Sequence, residues 1–272
     1  MPYTNTMRYL ARWWFVMANT ATLPLLLKQL GLPCMLAHYD EQANVAEEKH
    51  LHYTEYLSTL SGMEAANRQQ KRIARHTKES KLPPGKTLDA FDFKRTASVN
   101  AAHITALADN ISWVNNANNL IIFGPSGVGK THLACAIAYR LIEQGVRCYF
   151  CSTTALVQQL QKAKAEFRLP EALAKLSRIP LLILDDIGYV KKEDAETSVL
   201  FELIAERYES KSLIITANQP FAQWDTIFPD NMMAVAAIDR LVHHATIINI
   251  EGQSFRKANA KNKQQLNNGG QS

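Results

Sequence analysis

The chain has 272 residues, 47% of them hydrophobic and 20% charged, with a formal net charge of +5. That length suits one large domain or two modest ones, and that apolar content excludes a largely disordered chain. The small positive excess permits a polyanionic partner without demanding one, so the placement of the basic residues matters more than their sum.

Tyr9 to Ala18 is an apolar run behind Arg8, but Arg12 interrupts it and it is much shorter than the ~20 residues of a membrane span. No convincing small-residue cleavage pattern follows. No membrane association is expected, and the setting is cytoplasmic. Four cysteines without a secretory leader do not suggest a disulfide framework. Met17 offers an alternative start, and residues 1–20 are set aside as a candidate mis-called extension.

Residues 21–79 read as a helical domain. Leu23, Leu26, Leu27 and Leu30 recur at spacings of three and four, and Gly31-Leu32-Pro33 closes that helix. A second run extends from Pro33 to His52. Tyr53, Tyr56, Leu57 and Leu60 mark a third apolar face, which Gly62 is expected to interrupt. Arg68, Lys71, Arg72 and Arg75 share one helical face, which suits either solvent or the phosphates of a nucleic acid. Residues 80–90, opening Ser80-Lys81-Leu82-Pro83-Pro84-Gly85, read as a linker, because tandem prolines and a glycine do not continue a helix. Phe91 and Phe93 then pack the incoming chain against the next domain, residues 91–256, and residues 98–117 read as one helix.

Leu120 to Phe123 is a short apolar strand, and Lys130 onward a helix start. Between them, Gly124-Pro125-Ser126-Gly127-Val128-Gly129-Lys130-Thr131 fits G-x-x-x-x-G-K-[ST], the phosphate-binding loop, with His132 next along the helix. Glycines let backbone N–H groups curl around phosphate oxygens, and the helix N-terminus adds its positive dipole end. Lys130 is suited to the β- and γ-phosphates, and the Thr131 hydroxyl to Mg²⁺.

Strands and helices alternate from there. Arg147 to Ser152 reads as a strand in which Cys148 and Cys151 point to opposite faces, against metal or redox use of the pair. Helices follow over Thr153–Lys164 and Glu171–Arg178. Leu181 to Asp186 is a near-continuous apolar strand ending in two carboxylates, as in a parallel strand covered on both faces. The pattern predicts an α/β fold, a P-loop NTPase with a doubly wound parallel sheet whose ligands lie at the strands' carboxyl ends. Asp185 is placed to hold Mg²⁺ opposite Thr131, and Asp186 to orient or deprotonate an attacking water. A helix over residues 194–209 precedes a buried strand from Ser212, which ends in Asn218, placed to position water against a γ-phosphate as in the sensor-1 arrangement of the AAA+ class. No N-K-x-D guanine motif is present, so ATP is expected over GTP. His243-His244 has no further ligand at metal-binding spacing and reads as packing or capping at a helix end.

Together, Gly124–Thr131, Leu181–Gly188, Leu213–Phe221 and Ala237-Ile238-Asp239-Arg240-Leu241-Val242-His243-His244 resemble the IstB-type ATP-binding proteins of insertion sequences, with the DnaC-like helicase loaders as a sister branch. The resemblance implies an AAA+ ATPase that forms a homo-oligomer on duplex DNA, dependent on ATP and DNA, and works with a transposase encoded alongside. It also implies that the helical domain helps assembly and DNA binding. By position, Arg240 matches the arginine finger acting on a neighbouring subunit, and Arg256 the sensor-2 arginine acting in cis. Arg207 is a weaker finger candidate. The polar tail, 257–272, is expected to be disordered, leaving the C-terminal lid truncated or absent.

Three functions remain open on these residues. The first is regulation of transposition by marking target DNA and recruiting or stimulating a transposase. The second is delivery of a replicative helicase. The third is a small-molecule P-loop kinase, which Asp186 and Asn218 disfavour because both suit attack by water. Lys162, Lys164, Arg168, Lys191 and Lys192 are further candidates for DNA contact.

Overall fold

The computed structural model describes residues 20–96, 98–189, 194–220, 224, 231–252 and 254–255. The expected N-terminal extension up to residue 19, Lys191, Lys192, Phe221, Arg256 and the polar tail lie outside the described residues. The chain divides into two compact units between Arg72 and Ile73.

The first unit contains α1 (Leu23–Gln29), α2 (Pro33–Glu48) and most of α3 (Tyr53–Ser80). Pro33 opens α2 at a position where a missing N–H costs nothing. Gly62 does not interrupt α3, contrary to the sequence expectation. A mid-helix glycine costs only about 0.5–1 kcal/mol against alanine, and Leu60 and Glu64 on either side are both buried. The expected apolar faces are narrower than their periodicity suggests: Leu27 and Leu60 are buried, whereas Leu30, Tyr53 and Leu57 stand exposed.

Glu64 fastens this unit. Its Oε2 accepts from the backbone N–H groups of Cys34 (2.8 Å) and Met35 (3.2 Å) in the first turn of α2, donors the helix itself leaves unpaired. Its Oε1 accepts from Arg68 Nε at 3.1 Å, and Arg68 Nη2 reaches the Gly31 carbonyl at 2.9 Å. Burial alone would raise this carboxyl's pKa. The two backbone donors and Arg68 more than offset that and hold it below its ordinary value. Arg68, read as part of a basic stripe, is thus engaged inside the unit.

The second unit is built on a five-stranded, all-parallel sheet in the order β2-β3-β4-β1-β5. The strands are β1 (Asn119–Phe123), β2 (Cys148–Ser152), β3 (Leu181–Asp185), β4 (Ser212–Ala217) and β5 (Ala245–Asn249). Alternate residues feed opposite faces, the period-two consequence of the pleat. Leu120 and Ile122 join one core with α4 (Ala101–Asp109), α5 (Ser112–Asn115) and α6 (Lys130–Glu143). Ile121 and Phe123 join the other with α7 (Thr153–Ala165), α8 (Leu169–Ser177), α9 (Asp194–Arg207) and α10 (Asn231–Val242). Leu82, in the segment read as a linker, is buried in the first of these cores.

The single helix expected over 98–117 is two. Asn100 caps α4 by accepting from His103 N–H at 3.2 Å, and Asn110 ends it by turning its side chain onto Ser112 N–H at 2.9 Å. Such local side-chain bonds compete with the helical ladder. Cys148 faces the first core and Cys151 packs against the second, as the alternation requires. Burial pushes the Cys151 thiol up to about 12.

Arg207 is corrected as a finger candidate. It is 1% exposed and donates to the carbonyls of Leu176, Ile179, Pro180 and Ser212 at 2.7–3.1 Å. Burial without a facing carboxylate lowers its pKa to about 10. It ties the turn before β3 to the start of β4 and does not reach outward. Among the described residues, no helix is long and apolar enough to cross a membrane.

Candidate functional site

The site lies at the carboxyl ends of β1, β3 and β4, which are adjacent in the sheet. Gly124 leaves β1 with its N–H on the Ala217 carbonyl (3.2 Å), so the loop starts tied to β4. Gly124, Gly127 and Gly129 have φ of 149°, 84° and 110°, a region that side-chain-bearing residues rarely adopt. Space forbids a side chain as well. A Cβ on Gly124 would overlap the Ile250 carbonyl, one on Gly127 the Ser254 hydroxyl, and one on Gly129 would approach Phe91 to 3.0 Å. The loop is therefore walled by Ile250, Ser254 and Phe255, and Phe255 N–H donates to the Gly127 carbonyl at 2.9 Å. Pro125 and Ser126 at the tip are exposed, whereas Val128 is buried and anchors the loop.

Gly129 opens α6, and its carbonyl accepts from Leu133 N–H at 2.9 Å. Lys130 follows, 5% exposed, with Nζ donating to the carbonyls of Gly124 (2.8 Å) and Pro125 (2.9 Å). The ammonium thus sits inside the curl of the loop. Thr131 Oγ1 donates to Asp185 Oδ1 at 2.8 Å, joining α6 to the end of β3. Thr216 Oγ1 donates to the same oxygen at 2.7 Å, and itself accepts from Asp186 N–H at 2.9 Å. Bonds of this charge-assisted kind fix a carboxylate's direction. Asp186 takes the left-handed conformation (φ 56°), which aspartate tolerates better than most residues, and borders the cavity beside Lys130 and Thr131.

Asn218, the residue after β4, lies against Gly188, where a Cβ would come within 2.5 Å of its Oδ1. That Oδ1 is buried and has no hydrogen-bond partner. Buried acceptors are nearly always satisfied, so this one has capacity for a donor, although Asn218 is not among the residues that border the cavity over the loop.

The cavity over the loop holds about 420 Å³. Besides the loop it is bordered by Lys86, Phe91, Asp92, Arg95 and Phe255. His132 borders it too, but its Nε2 meets the Thr87 carbonyl at 2.8 Å and its ring sits edge-on to Phe91, 5.3 Å between centroids. It holds the incoming chain in place, and the expected packing of Phe91 and Phe93 is seen at 4.8 Å. The sequence reading missed Lys86, Arg95 and Thr216 as site residues. A hydroxyl inside the apolar run Ile214-Ile215-Thr216-Ala217 was the visible signal for the last, and Arg95 stacks over Phe255 at 4.5 Å.

Arg240 is not among the residues that border this cavity. It stands in the last turn of α10, its guanidinium over the Phe201 ring at 5.2 Å and its Nη1 on the Ala236 carbonyl at 3.0 Å. The chain enters β5 five residues later, at the amino end of the sheet.

These residues fit a nucleoside triphosphate with Mg²⁺: a glycine cradle, one ammonium within it, and a hydroxyl paired with a carboxylate of oxygen-only chemistry. Comparison with known proteins agrees. A family profile described as IstB-like ATP binding protein matches residues 25–264. A Sinorhizobium fredii relative described as an insertion sequence ATP-binding protein is 48% identical over 242 residues, covering 89% of this chain and 81% of its own. A Pseudomonas aeruginosa relative described as an ATP-binding protein of insertion sequence IS21 is 38% identical, covering 86% and 88%. Among solved structures, the DnaC helicase loader superposes with a TM-score of 0.54 at 22% identity, covering 62% of this chain and 98% of that one. The initiator DnaA bound to AMPPCP and single-stranded DNA gives 0.53 at 20% identity, covering 64% and 52%. The two structural likenesses show a shared fold.

Proposed function

The chain belongs to the IstB-like ATP-binding proteins, and from that premise we propose that it is a Mg²⁺-dependent ATPase that assembles on duplex DNA and regulates transposition for an insertion sequence. The observation that carries the ATPase part is the Thr131–Asp185 hydrogen bond beneath the glycine cradle, which brings a hydroxyl and a carboxylate from distant segments beside Lys130. Thr131 and Asp185 would hold Mg²⁺, which would supply charge neutralisation to the phosphates. Backbone N–H groups of the loop bind phosphate, and Lys130 turns its ammonium from the loop carbonyls toward the added negative charge. Asp186 accepts a proton from the water whose oxygen bonds to the γ-phosphorus as the bond to the β–γ bridging oxygen breaks and ADP leaves, and Asn218 Oδ1 orients that water by accepting its second hydrogen.

Arg240 does not border its own cavity, which supports action on a neighbouring protomer. That in turn supports an oligomer whose turnover rises steeply with protein concentration. The transposition role rests on the relatives' descriptions as insertion-sequence proteins. Likeness to the DnaC loader favours a second reading, delivery of a replicative helicase, through fold alone.

The test is ATP hydrolysis by the full chain with and without long duplex DNA, followed by gel filtration with ATP. Stimulated turnover and a large assembly are expected. A monomer whose turnover ignores DNA overturns the assembly reading. Pull-down against the transposase encoded alongside and against a replicative helicase separates the two partner readings.

A further inference from the structure

The fold gathers a second constellation of metal-ligating side chains, at the opposite end of the sheet from the nucleotide cavity. His243 and His244 follow α10 and immediately precede β5. In sequence they lack a third ligand. The structure supplies one: Glu209, in the left-handed turn after α9 (φ 53°), places Oε1 4.0 Å from His243 Nδ1 and 4.0 Å from His244 Nε2. One ligand atom from each of the three residues lies within 4.8 Å of the others. Among the described residues, this is the one such group of histidine, cysteine and carboxylate side chains found.

We infer that Glu209, His243 and His244 form a transition-metal site, suited to Zn²⁺, that is separate from the Mg²⁺-nucleotide site. The ligand types suit it, because imidazole nitrogens select zinc over the hard cations, and a single carboxylate completes a familiar three-ligand set. The spacing suits it too. A point equidistant from atoms so placed lies no more than about 2.5 Å from each, against ~2.0–2.2 Å for zinc–nitrogen and zinc–oxygen bonds, so small side-chain rotations close the shell.

The framework around the ligands is firm. The His244 carbonyl accepts from Asn119 N–H at 2.9 Å, where β5 joins the sheet, so the backbone carrying both imidazoles is pinned. Tyr208 hydroxyl lies 2.9 Å from His243 Nδ1, a contact this nitrogen exchanges for the ion when it ligates. All three ligands are about half exposed, which leaves the fourth position to water and gives the ion a path in. The site is one strand length, ~16 Å, from the phosphate loop, so its occupancy is independent of the nucleotide reading.

The test is uptake of Zn²⁺ by the full chain after chelator treatment, measured by competition with a chromogenic chelator in excess Mg²⁺. The wild type should take up one equivalent more than the Glu209→Gln, His244→Ala double variant, and each single variant, having lost a direct ligand, should bind that equivalent more weakly by at least the ~10–100-fold that loss of an outer partner costs. Co²⁺ added to the wild type should give the intense visible absorption of a four-coordinate ion, a readout that needs no variant to fold. Equal stoichiometry in wild type and double variant, or a weak six-coordinate Co²⁺ spectrum, would overturn the site.

Discussion

Thr131 and Asp185, 54 residues apart in the chain, share a 2.8 Å hydrogen bond, and Thr216 donates to the same carboxylate oxygen from a third segment at 2.7 Å. One oxygen thus gathers α6, β3 and β4 at the mouth of the cavity. Asp185→Asn keeps an acceptor there but removes its charge. Metal-dependent hydrolysis should fall to background, as it should for the wild type in EDTA. Weakening two charge-assisted bonds should cost about 1–3 kcal/mol, seen as a lower melting temperature. Full turnover in EDTA would refute metal assistance.

Asp186 and Asn218 should separate binding from turnover. Asp186→Asn retains a residue that tolerates the left-handed backbone, so the variant should fold and bind ATP normally while hydrolysing at least ~10²-fold more slowly. Asn218→Ala should also slow hydrolysis, but with stability unchanged or raised, because it deletes a buried acceptor that lacks a partner. A drop in stability would mean that Asn218 is structural. Equilibrium binding of a fluorescent ATP analogue, steady-state turnover and a melting curve distinguish these outcomes.

Lys130→Ala and Arg240→Ala test cooperation between protomers. The first should abolish nucleotide binding. The second should bind normally and hydrolyse ~10³-fold more slowly, the lower end of the effect of an arginine finger elsewhere. Each variant lacks what the other keeps, so mixing them should restore part of the turnover. If Arg240→Ala alone retains full turnover, the trans assignment fails.

Acid should loosen the helical unit through Glu64. Its carboxyl is held below the ordinary 4.5, so it contributes stability that is fully present above that value and is lost as pH falls through the lower folded value. Glu64→Gln should be less stable at pH 7 and show a shallower loss of stability below about pH 4.5. Thermal melts of both proteins from pH 7 to pH 3 check this. Parallel curves would show that the depressed carboxyl does not govern acid stability.

Much of the sheet and the loop was legible because their signals are local. Apolar runs such as Leu181–Leu184 and the glycine spacing from Gly124 report what neighbouring residues require of each other. The misread elements depended on competition that periodicity does not record. Asn110 diverts its side chain to Ser112 and splits a helix, while Gly62 is overridden because Leu60 and Glu64 hold the helix through it. Arg207 carried a charge that reads as surface until the fold closes four carbonyls around it. Lys86, Arg95, Thr216 and Glu209 join their sites from distant segments, and spacing in the chain says nothing of such meetings.

The wall behind the phosphate loop has an energetic corollary. Ile250 N–H bonds to the Phe123 carbonyl and Phe255 N–H to the Gly127 carbonyl, so both residues are tied by backbone bonds to β1 and the loop. Coupling between two such sites is reciprocal. Any partner that grips Ile250, Ser254 or Phe255 and thereby alters ATP affinity will have its own affinity altered by ATP to the same degree, so its grip reads the nucleotide state.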